Sequence, residues 1–392
     1  MIALLDRHWV LALLLGAIAL SVLAVIALRL WRSRPPLRAI HVPTTDERVL
    51  ILGAGGVARA VIDVIESPGS RWTIAGVLAD SWAADTPPPF PLMGSLNDLK
   101  AIIRRIRPDR ILVALEDRRG RLPVDALLEA RGHGIVVEDG VALYERLSGK
   151  LAIEALWPSA LLYSKGLRPR RFAAMVARLS SFAVACVGVL LSLPLLPLIA
   201  LWVRLDSKGP IFFVQERVGL YGRRFGLVKF RTMQVEKNTG SEWIRDNEDR
   251  LTRSGRWLRR LHLDELPQFW NILCGDMNLV GPRPHPSSNY ELFIARIPFY
   301  ALRASVRPGL TGWAQIRYGY ANTLEEETEK MRYDLYYIKH MSVWLDARIV
   351  FETFYAVLAG RGQHAAAAPA TARGVSWQRT PAALQSTRVV GS

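Results

Sequence analysis

Val49-Leu50-Ile51-Leu52-Gly53-Ala54-Gly55-Gly56-Val57-Ala58-Arg59-Ala60 carries the fold class in its order. An unbroken apolar run suits a strand covered on both faces, because half-exposed strands alternate apolar and polar residues. The glycines then allow a tight turn, and the Ala/Val-rich segment opens a helix, which begins a βαβ pattern. Further on, Trp72 to Leu78, Ile111 to Leu115 and Ile135 to Val137 read as strands. Leu96–Ile106 and Val124–Arg131 read as helices between them. The alternation predicts a doubly wound α/β domain over residues 48–150, Rossmann-like in plan. Gly53-x-Gly55-x-x-Ala58, with Asp80 after the next strand, has the spacing of a dinucleotide site. No side-chain set for hydride transfer accompanies it. Gly53, Gly55 and Asp80 therefore mark either a nucleotide site or a fold kept for packing or regulation, and the second reading is favoured.

Outward toward the N-terminus, residues 34–47 read as a proline-containing linker. Val10 to Leu28 is apolar without a charge and is long enough, at about 1.5 Å per residue, to cross a hydrocarbon layer of about 30 Å. Trp9 and Trp31 bracket it, and Arg29, Arg32, Arg34 and Arg38 follow. Residues 1–33 are thus expected to be one transmembrane anchor, with the rest of the chain on the cytoplasmic side by the positive-inside bias. A cleaved signal peptide would carry its basic residues before the apolar run and a small-residue cleavage site after it.

Outward in the other direction, Leu179 to Val203 is again long enough to span, but contains Pro194 and Pro197. A proline removes a backbone donor and clashes with the preceding turn, so the helix breaks or kinks there. Ser192 is placed to satisfy a freed carbonyl. Both flanks are basic: Arg168, Arg170, Arg171 and Arg178 before, then Arg204, Lys208 and Arg217 after. A single crossing would put one basic flank outside, whereas a helix that enters and returns to one face would not. A kinked spanning helix and a re-entrant helix over residues 172–204 both remain open on these grounds. Residues 205–360 form a basic region with short helices. Leu251 to Leu261 mixes arginines with Trp257, Leu258 and Leu261 in an interfacial pattern, and Tyr333 to Ile349 reads as a final packed helix. Residues 361–392 are Ala, Pro, Thr and Ser rich, and disorder is expected there.

The net charge of +16 calls for an acidic partner. Because the arginines cluster beside apolar segments, anionic lipid or phosphorylated substrate is preferred and no nucleic acid is expected. The two cysteines, Cys186 and Cys274, offer no disulfide framework and no Cys/His metal cluster, which suits a reducing compartment.

The chemistry concentrates in Arg259-Arg260-Leu261-His262-Leu263-Asp264-Glu265-Leu266-Pro267-Gln268, with Gly275-Asp276-Met277 and Gly281-Pro282-Arg283-Pro284 after it. Proline is tolerated in a first helical turn, so Pro267 places Asp264 and Glu265 at a helix N-terminus. The plain reading is a capping Asp and a dipole-favouring Glu. The chemical reading is an ionised Asp264 acting as nucleophile on phosphorus, with Glu265 and Asp264 holding Mg2+, an ion that shares few protein carboxylates with phosphate oxygens. Arg259 and Arg283 are the candidate phosphate ligands, since guanidinium bonds phosphate bidentately. The prolines around Arg283 fix its backbone. His262 has no visible partner, and a structural or phosphate-adjacent role is preferred to a general base.

Asp264 to Gln268, Gly275 to Met277, Gly281 to Pro284 and Arg307-Pro308-Gly309-Leu310-Thr311-Gly312-Trp313-Ala314-Gln315 closely resemble the bacterial sugar transferase family, the polyprenyl-phosphate hexose-1-phosphate transferases. Asp206-Ser207-Lys208-Gly209-Pro210, Gln215-Glu216-Arg217 and Lys229-Phe230-Arg231-Thr232-Met233 match as well, so the resemblance runs from residue 172 to about 360. The doubly wound domain resembles that of the larger, exopolysaccharide-type members.

The resemblance implies transfer of a hexose-1-phosphate from a UDP-sugar to undecaprenyl phosphate in two steps. Asp264 would attack the β-phosphorus and release UMP, and the lipid phosphate would then take the phosphosugar. Glu265 would help bind Mg2+, and Arg259 and Arg283 would bind phosphates. The broken helix would be re-entrant, with its break at Pro194, and the site would face the cytoplasm at the bacterial inner membrane. A homodimer follows by analogy. Glucose and galactose are expected ahead of N-acetylated sugars. Many large members carry several N-terminal membrane helices, whereas one is found here. Leu193 stands where a serine is expected before Pro194, with Ser192 one position earlier, and His262 replaces a small or basic residue. The alternative is a membrane-anchored NAD-dependent nucleotide-sugar oxidoreductase working through Gly53 and Gly55.

Overall fold

The computed structural model describes residues 46–67, 71–80, 90, 92–115, 121–153, 171–234, 250–319 and 321–359. The expected anchor (1–33), nearly all of the linker (34–47) and the tail (361–392) lie outside them. The described residues divide into two compact units between Leu143 and Tyr144.

In the first unit, β1 (Glu47–Leu52), β2 (Trp72–Leu78), β3 (Arg110–Val113) and β4 (Val136–Asp139) form a parallel sheet in the order β2-β1-β3-β4. Between them lie α1 (Gly56–Ile65), α2 (Leu99–Ile106, entered through a 3-10 turn at Leu96–Asp98) and α3 (Val124–Gly132). A helix at Gly140–Ser148, α4, contains the division between the units. Leu50, Leu52, Ile111 and Val113 share one apolar cluster with Leu99, Ile102, Ile106, Ala126 and Leu127. α1 buries Val57, Ala58, Val61, Ile62 and Ile65, one stripe at helical spacing. The predicted strands are present, although β3 stops at Val113 and β4 begins at Val136.

Gly53 has φ +116, and a Cβ there would lie 2.6 Å from the Ala114 carbonyl oxygen. Close packing against the end of β3 therefore already requires this glycine. Gly53 N–H donates to Leu78 O (2.8 Å), and exposed Asp80 follows β2, so the two residues sit at neighbouring strand ends.

The second unit is mostly helical. The broken apolar segment is α5 (Arg171–Ser192) and α6 (Leu195–Asp206). Among the described residues, α5 is the helix long and apolar enough to cross a membrane. There is one break, not two. Pro194 ends α5, whereas Pro197 lies in the first turn of α6, where its missing N–H would have had no helical partner. Ser192 Oγ donates to Val189 O (3.0 Å), which also accepts from Leu193 N (2.9 Å). The hydroxyl thus supports a carbonyl one residue before Leu190, the residue whose i+4 donor would have been Pro194.

α5 and α6 are anchored at both ends on the same unit. Ala185 of α5 packs with Ile272 and Met277, and Ser181 Oγ accepts from Leu279 N (2.9 Å). Ile199 and Val203 of α6 pack on Phe230 and Leu258. Their outer faces expose Leu179, Phe182, Leu191, Leu198, Leu201 and Leu205.

An antiparallel hairpin follows, β5 (Phe212–Val218) with β6 (Arg224–Phe230). Then come α7 (Arg253–Arg260), α8 (Gln268–Cys274), β7 (Asn278–Val280), α9 (Ser287–Arg296), β8 (Gly309–Thr311) and α10 (Trp313–Arg317). The chain ends its described part in α11 (Leu324–His340) and α12 (Val343–Leu358), so the single helix predicted over Tyr333 to Ile349 is two. Met341 leaves helical geometry (ψ 120), and the Ser342 hydroxyl accepts from Leu345 N to start a new helix. The main core joins Leu151, Val280, Phe293, Tyr300, Trp313, Met331, Leu335 and Ile338.

Candidate active site

Thr252 caps α7, accepting from Gly255 N at 2.9 Å, and the helix runs to Arg260. His262 then adopts a left-handed conformation (φ 55, ψ 20), which a residue with a Cβ takes at a cost of about 1 kcal/mol. That reversal sends the chain into a 3-10 turn, Leu263–Glu265, and Pro267 opens α8. The carboxylates thus precede the helix by a turn, and Asp264 does not cap it. The cap position belongs to Pro267.

Asp264 is buried, at 7% exposure. Among the described residues its carboxylate has no hydrogen-bond or ion-pair partner. Burial, and then the neighbouring Glu265 charge, push its pKa up, while Lys229, Arg259 and Arg283 pull it down. The expectation of a carboxylate held ionised by a helix terminus is therefore replaced. The cations that favour ionisation come from three separate elements. Glu265 behaves oppositely. Burial alone would raise it, but Arg283 and Lys229 together hold it well below the usual carboxylate range. Its Oε1 accepts from Arg283 Nη2 at 2.6 Å and from Lys229 Nζ at 3.3 Å.

Lys229 was not singled out from the sequence. It sits on β6, in the matching stretch Lys229 to Met233, but an alternating strand gives no sign that this position faces two carboxylates. Its own pKa is lowered, mainly by burial and against the pull of Glu265. Arg259 reaches the site from the last turn of α7, its Nε donating to Thr232 Oγ1 at 3.1 Å. Among the described residues, His262 Nε2 is buried without a hydrogen-bond partner.

Arg283 is aimed by backbone. Gly281 N donates to Thr311 O and Gly309 N to Pro282 O, both at 2.9 Å. A Cβ on Gly309 would lie 2.1 Å from Gly281 N, so the Gly281–Pro284 and Arg307–Gly312 motifs lie backbone against backbone. Arg217 Nη1 donates to Pro284 O (2.9 Å) and Arg303 Nη2 to Arg283 O (3.1 Å). Gly275-Asp276-Met277 has a structural task instead. Gly275 (φ 93) ends α8, and Arg178 Nη1 and Nη2 donate to the Ile272 and Leu273 carbonyls. Arg178, counted above among the basic flank of the apolar segment, is thus a helix cap.

Arg303 belongs to a buried network. It pairs with Asp334 (2.8 Å) and Glu327 (3.6 Å), and Glu327 also takes His285 Nε2 at 3.1 Å. Burial, reinforced by Lys330 and Arg303 and opposed by Glu327, lowers His285 from 6.5 to about 3. Between those values the unfolded chain binds a proton that the folded chain refuses, so this contribution is fully present above pH 6.5 and is lost as pH falls. Asp346, raised by burial to about 6, works in the opposite sense. The expected result is therefore comparative. In neutral detergent, stability should fall more steeply from pH 6.5 to 5 in the parent than in His285→Gln, by up to about 1.4 kcal/mol per pH unit. Parallel curves in chemical denaturation would remove His285 from the account.

The structure therefore brings Asp264, Glu265, Arg259 and Arg283 to one place and adds Lys229. Pro194 and Ser192 mark the break between α5 and α6, and Gly53, Gly55 and Asp80 belong to the first unit.

The family described as bacterial sugar transferase matches residues 172–360. A UDP-N-acetylgalactosamine-undecaprenyl-phosphate N-acetylgalactosaminephosphotransferase of Aeromonas hydrophila is 41% identical over 219 residues, 56% of this chain and 51% of that protein. An undecaprenyl-phosphate glucose phosphotransferase of Komagataeibacter xylinus is 33% identical over 328 residues, 80% of this chain and 60% of that one. A UDP-glucose:undecaprenyl-phosphate glucose-1-phosphate transferase of Caulobacter vibrioides is 42% identical over 196 residues, 49% of this chain and 73% of that protein. The chain spans about half, or less, of the length of several relatives that it matches.

Proposed function

The chain belongs to the bacterial sugar transferase family, and from that premise we propose that it moves a sugar-1-phosphate from a UDP-sugar to undecaprenyl phosphate through an Asp264-bound intermediate. The observation that carries the reading is the Asp264 carboxylate, buried and unpartnered beside a Glu265 that Arg283 and Lys229 already hold. An oxygen of Asp264 attacks the β-phosphorus, the bond from that phosphorus to the oxygen shared with the α-phosphate breaks, and UMP departs with the electron pair. An oxygen of the lipid phosphate then attacks the same phosphorus and displaces Asp264, which returns as carboxylate. Lys229, Arg259 and Arg283 offset charge on the phosphoryl oxygens at positions fixed beforehand, and that electrostatic preorganisation is the main source of rate.

The donor set suits Mg2+. Glu265 commits one oxygen to cations, Asp264 commits none, and no trio of His, Cys, Asp or Glu able to hold a metal stands among the described residues. An ion held by Asp264 and Glu265 would complete its shell with water and phosphate oxygens, as Mg2+ does, and would supply further charge neutralisation when bound.

For α5 and α6 we read a re-entrant membrane helix, supported by both ends resting on one unit while the outer faces stay apolar. Exposed Trp257, Leu261 and Trp270 beside the site, and Phe351, Phe354 and Tyr355 on α12, suit a lipid interface. UDP-sugars are cytosolic, so the site would face the cytoplasm at the inner membrane, and a polysaccharide-initiating role follows. Among the described strands of the first unit, the order β2-β1-β3-β4 is that of a flavodoxin-like doubly wound sheet and not the 3-2-1-4 of a Rossmann sheet, so the doubly wound plan is kept without the Rossmann label. Nothing observed favours hydride transfer at Gly53. The names of relatives include glucose and N-acetylgalactosamine, so the sugar is set by test.

The test incubates the full chain with Mg2+ and each of a panel of UDP-sugars, without lipid, and quenches it for mass spectrometry. One donor is expected to add a phosphosugar mass to the peptide containing Asp264. If product forms with lipid present yet no adduct is ever trapped, the covalent route is wrong.

A further inference from the structure

Away from the carboxylates, a cleft of about 650 Å³ opens where α6 ends and α7 begins, a volume suited to a small polar ligand. Among the described residues that line it are Lys208, Arg253 and Arg256, with Asp206 as the one acid, and Ser207 and Thr252. Among the described residues, none of the three cations forms a salt bridge. Asp206 Oδ2 accepts from the Ser254 backbone N and hydroxyl at 2.8 Å each, and its charge also interacts with Arg253, which leaves one carboxylate facing three cations among the described residues. Ser207 rests on Arg231, which is 4% exposed and gives Nη2 to the Ser207 carbonyl and hydroxyl at 2.6 and 2.8 Å. Among the described residues, the Nε and Nη1 of Arg231 are buried with no hydrogen-bond partner. A buried guanidinium with two idle donor nitrogens, carrying three N–H groups, is costly unless negative charge lies near it.

The cleft also sits at a defined depth. α6 turns Leu198, Leu201, Trp202 and Leu205 outward, with Leu205 77% exposed, and Lys208 follows within a turn. On α7, exposed Trp257 stands next to Arg256. If the outer face of α6 lies in lipid, the three cations lie where headgroup phosphates begin.

We propose that this cleft binds the phosphate of an anionic phospholipid headgroup through Lys208, Arg253 and Arg256, at a site separate from Asp264. The proposal rests on the membrane reading of α5 and α6 given above. α7 connects the two places. Arg253 and Arg256 occupy its first turns and Arg259 its last, while Thr232 receives Thr252 N on its carbonyl (3.1 Å) and Arg259 Nε on its hydroxyl (3.1 Å). A headgroup in the cleft would steady the helix that aims Arg259.

The experiment titrates the full chain, in neutral detergent, with phosphatidylglycerol or phosphatidylcholine and counts bound lipid by native mass spectrometry. One phosphatidylglycerol should be held about tenfold more tightly than phosphatidylcholine, and K208Q/R253Q/R256Q should lose that preference. R223Q/R224Q, which removes exposed charge from the β5–β6 hairpin, should keep it. Should the triple variant fail to fold, R253Q alone, at an exposed position, should weaken phosphatidylglycerol severalfold. Equal retention of the two lipids, an unaltered preference in the cleft variants, or equal loss in the hairpin variant would overturn the proposal. So would displacement of phosphatidylglycerol by equimolar undecaprenyl phosphate or inorganic phosphate, which would make the cleft an acceptor or free-anion site. The readout needs no turnover, so it stands or falls apart from the sugar-transfer chemistry.

Discussion

Asp264→Asn should lower UMP release at least about a thousandfold, because an amide oxygen is a poor nucleophile toward phosphorus and the neighbouring carboxylate, Glu265, is already held by Arg283 and Lys229. The fold should survive. Among the described residues the Asp264 side chain is buried without a hydrogen bond, and burial already disfavours its charge, so a neutral residue of the same shape removes that desolvation cost. The thermal midpoint is expected to be unchanged or raised. Combined loss of the phosphosugar adduct and of UMP release, in a protein that melts no earlier than the parent, is the full expected pattern. Near-normal UMP release by this variant would remove Asp264 from the reaction.

Arg283→Met should reduce turnover by about two to three orders of magnitude, by a different route. The guanidinium is at once the 2.6 Å partner of Glu265 and the expected phosphate ligand. Without it, Glu265 keeps only Lys229, at 3.3 Å, and its charge is left poorly compensated. The stability loss should be about 1–3 kcal/mol, since a largely buried carboxylate loses its closest cation. Arg283→Lys should recover charge but not the planar fork, and so restore turnover only in part. The KM for the UDP-sugar, measured by initial rates of UMP release, should rise more than that for undecaprenyl phosphate. Full activity in Arg283→Met would confine Arg283 to packing.

The helix break shows how local chemistry can be read and still mislead in detail. Two prolines in an apolar run predict disruption, and the chain does break, but only at Pro194. Pro197 is harmless because a helix restarted at Leu195 puts it in the first turn, where no donor is needed. Ser342 is the reverse case. It begins a new helix inside a stretch whose apolar periodicity reads through it, and only Met341 leaving helical geometry makes that plain.

What the chain determines by itself is local and periodic. Val49 to Leu52 is apolar throughout because both faces of a parallel strand are covered, and Asp264, Glu265, Arg259 and Arg283 stand close enough in sequence to suggest one site. Tertiary structure alone decided that Lys229, which a long stretch of sequence separates from Glu265, completes that site, and that Arg178 caps α8. It also decided that, among the described residues, Asp264 goes without a hydrogen-bond partner while Glu265 takes two. The physical reason is that burial and Coulomb interaction depend on distance in space, and the turn at His262, the β5–β6 hairpin and the Gly281–Gly309 contact set those distances between segments that no sequence period relates.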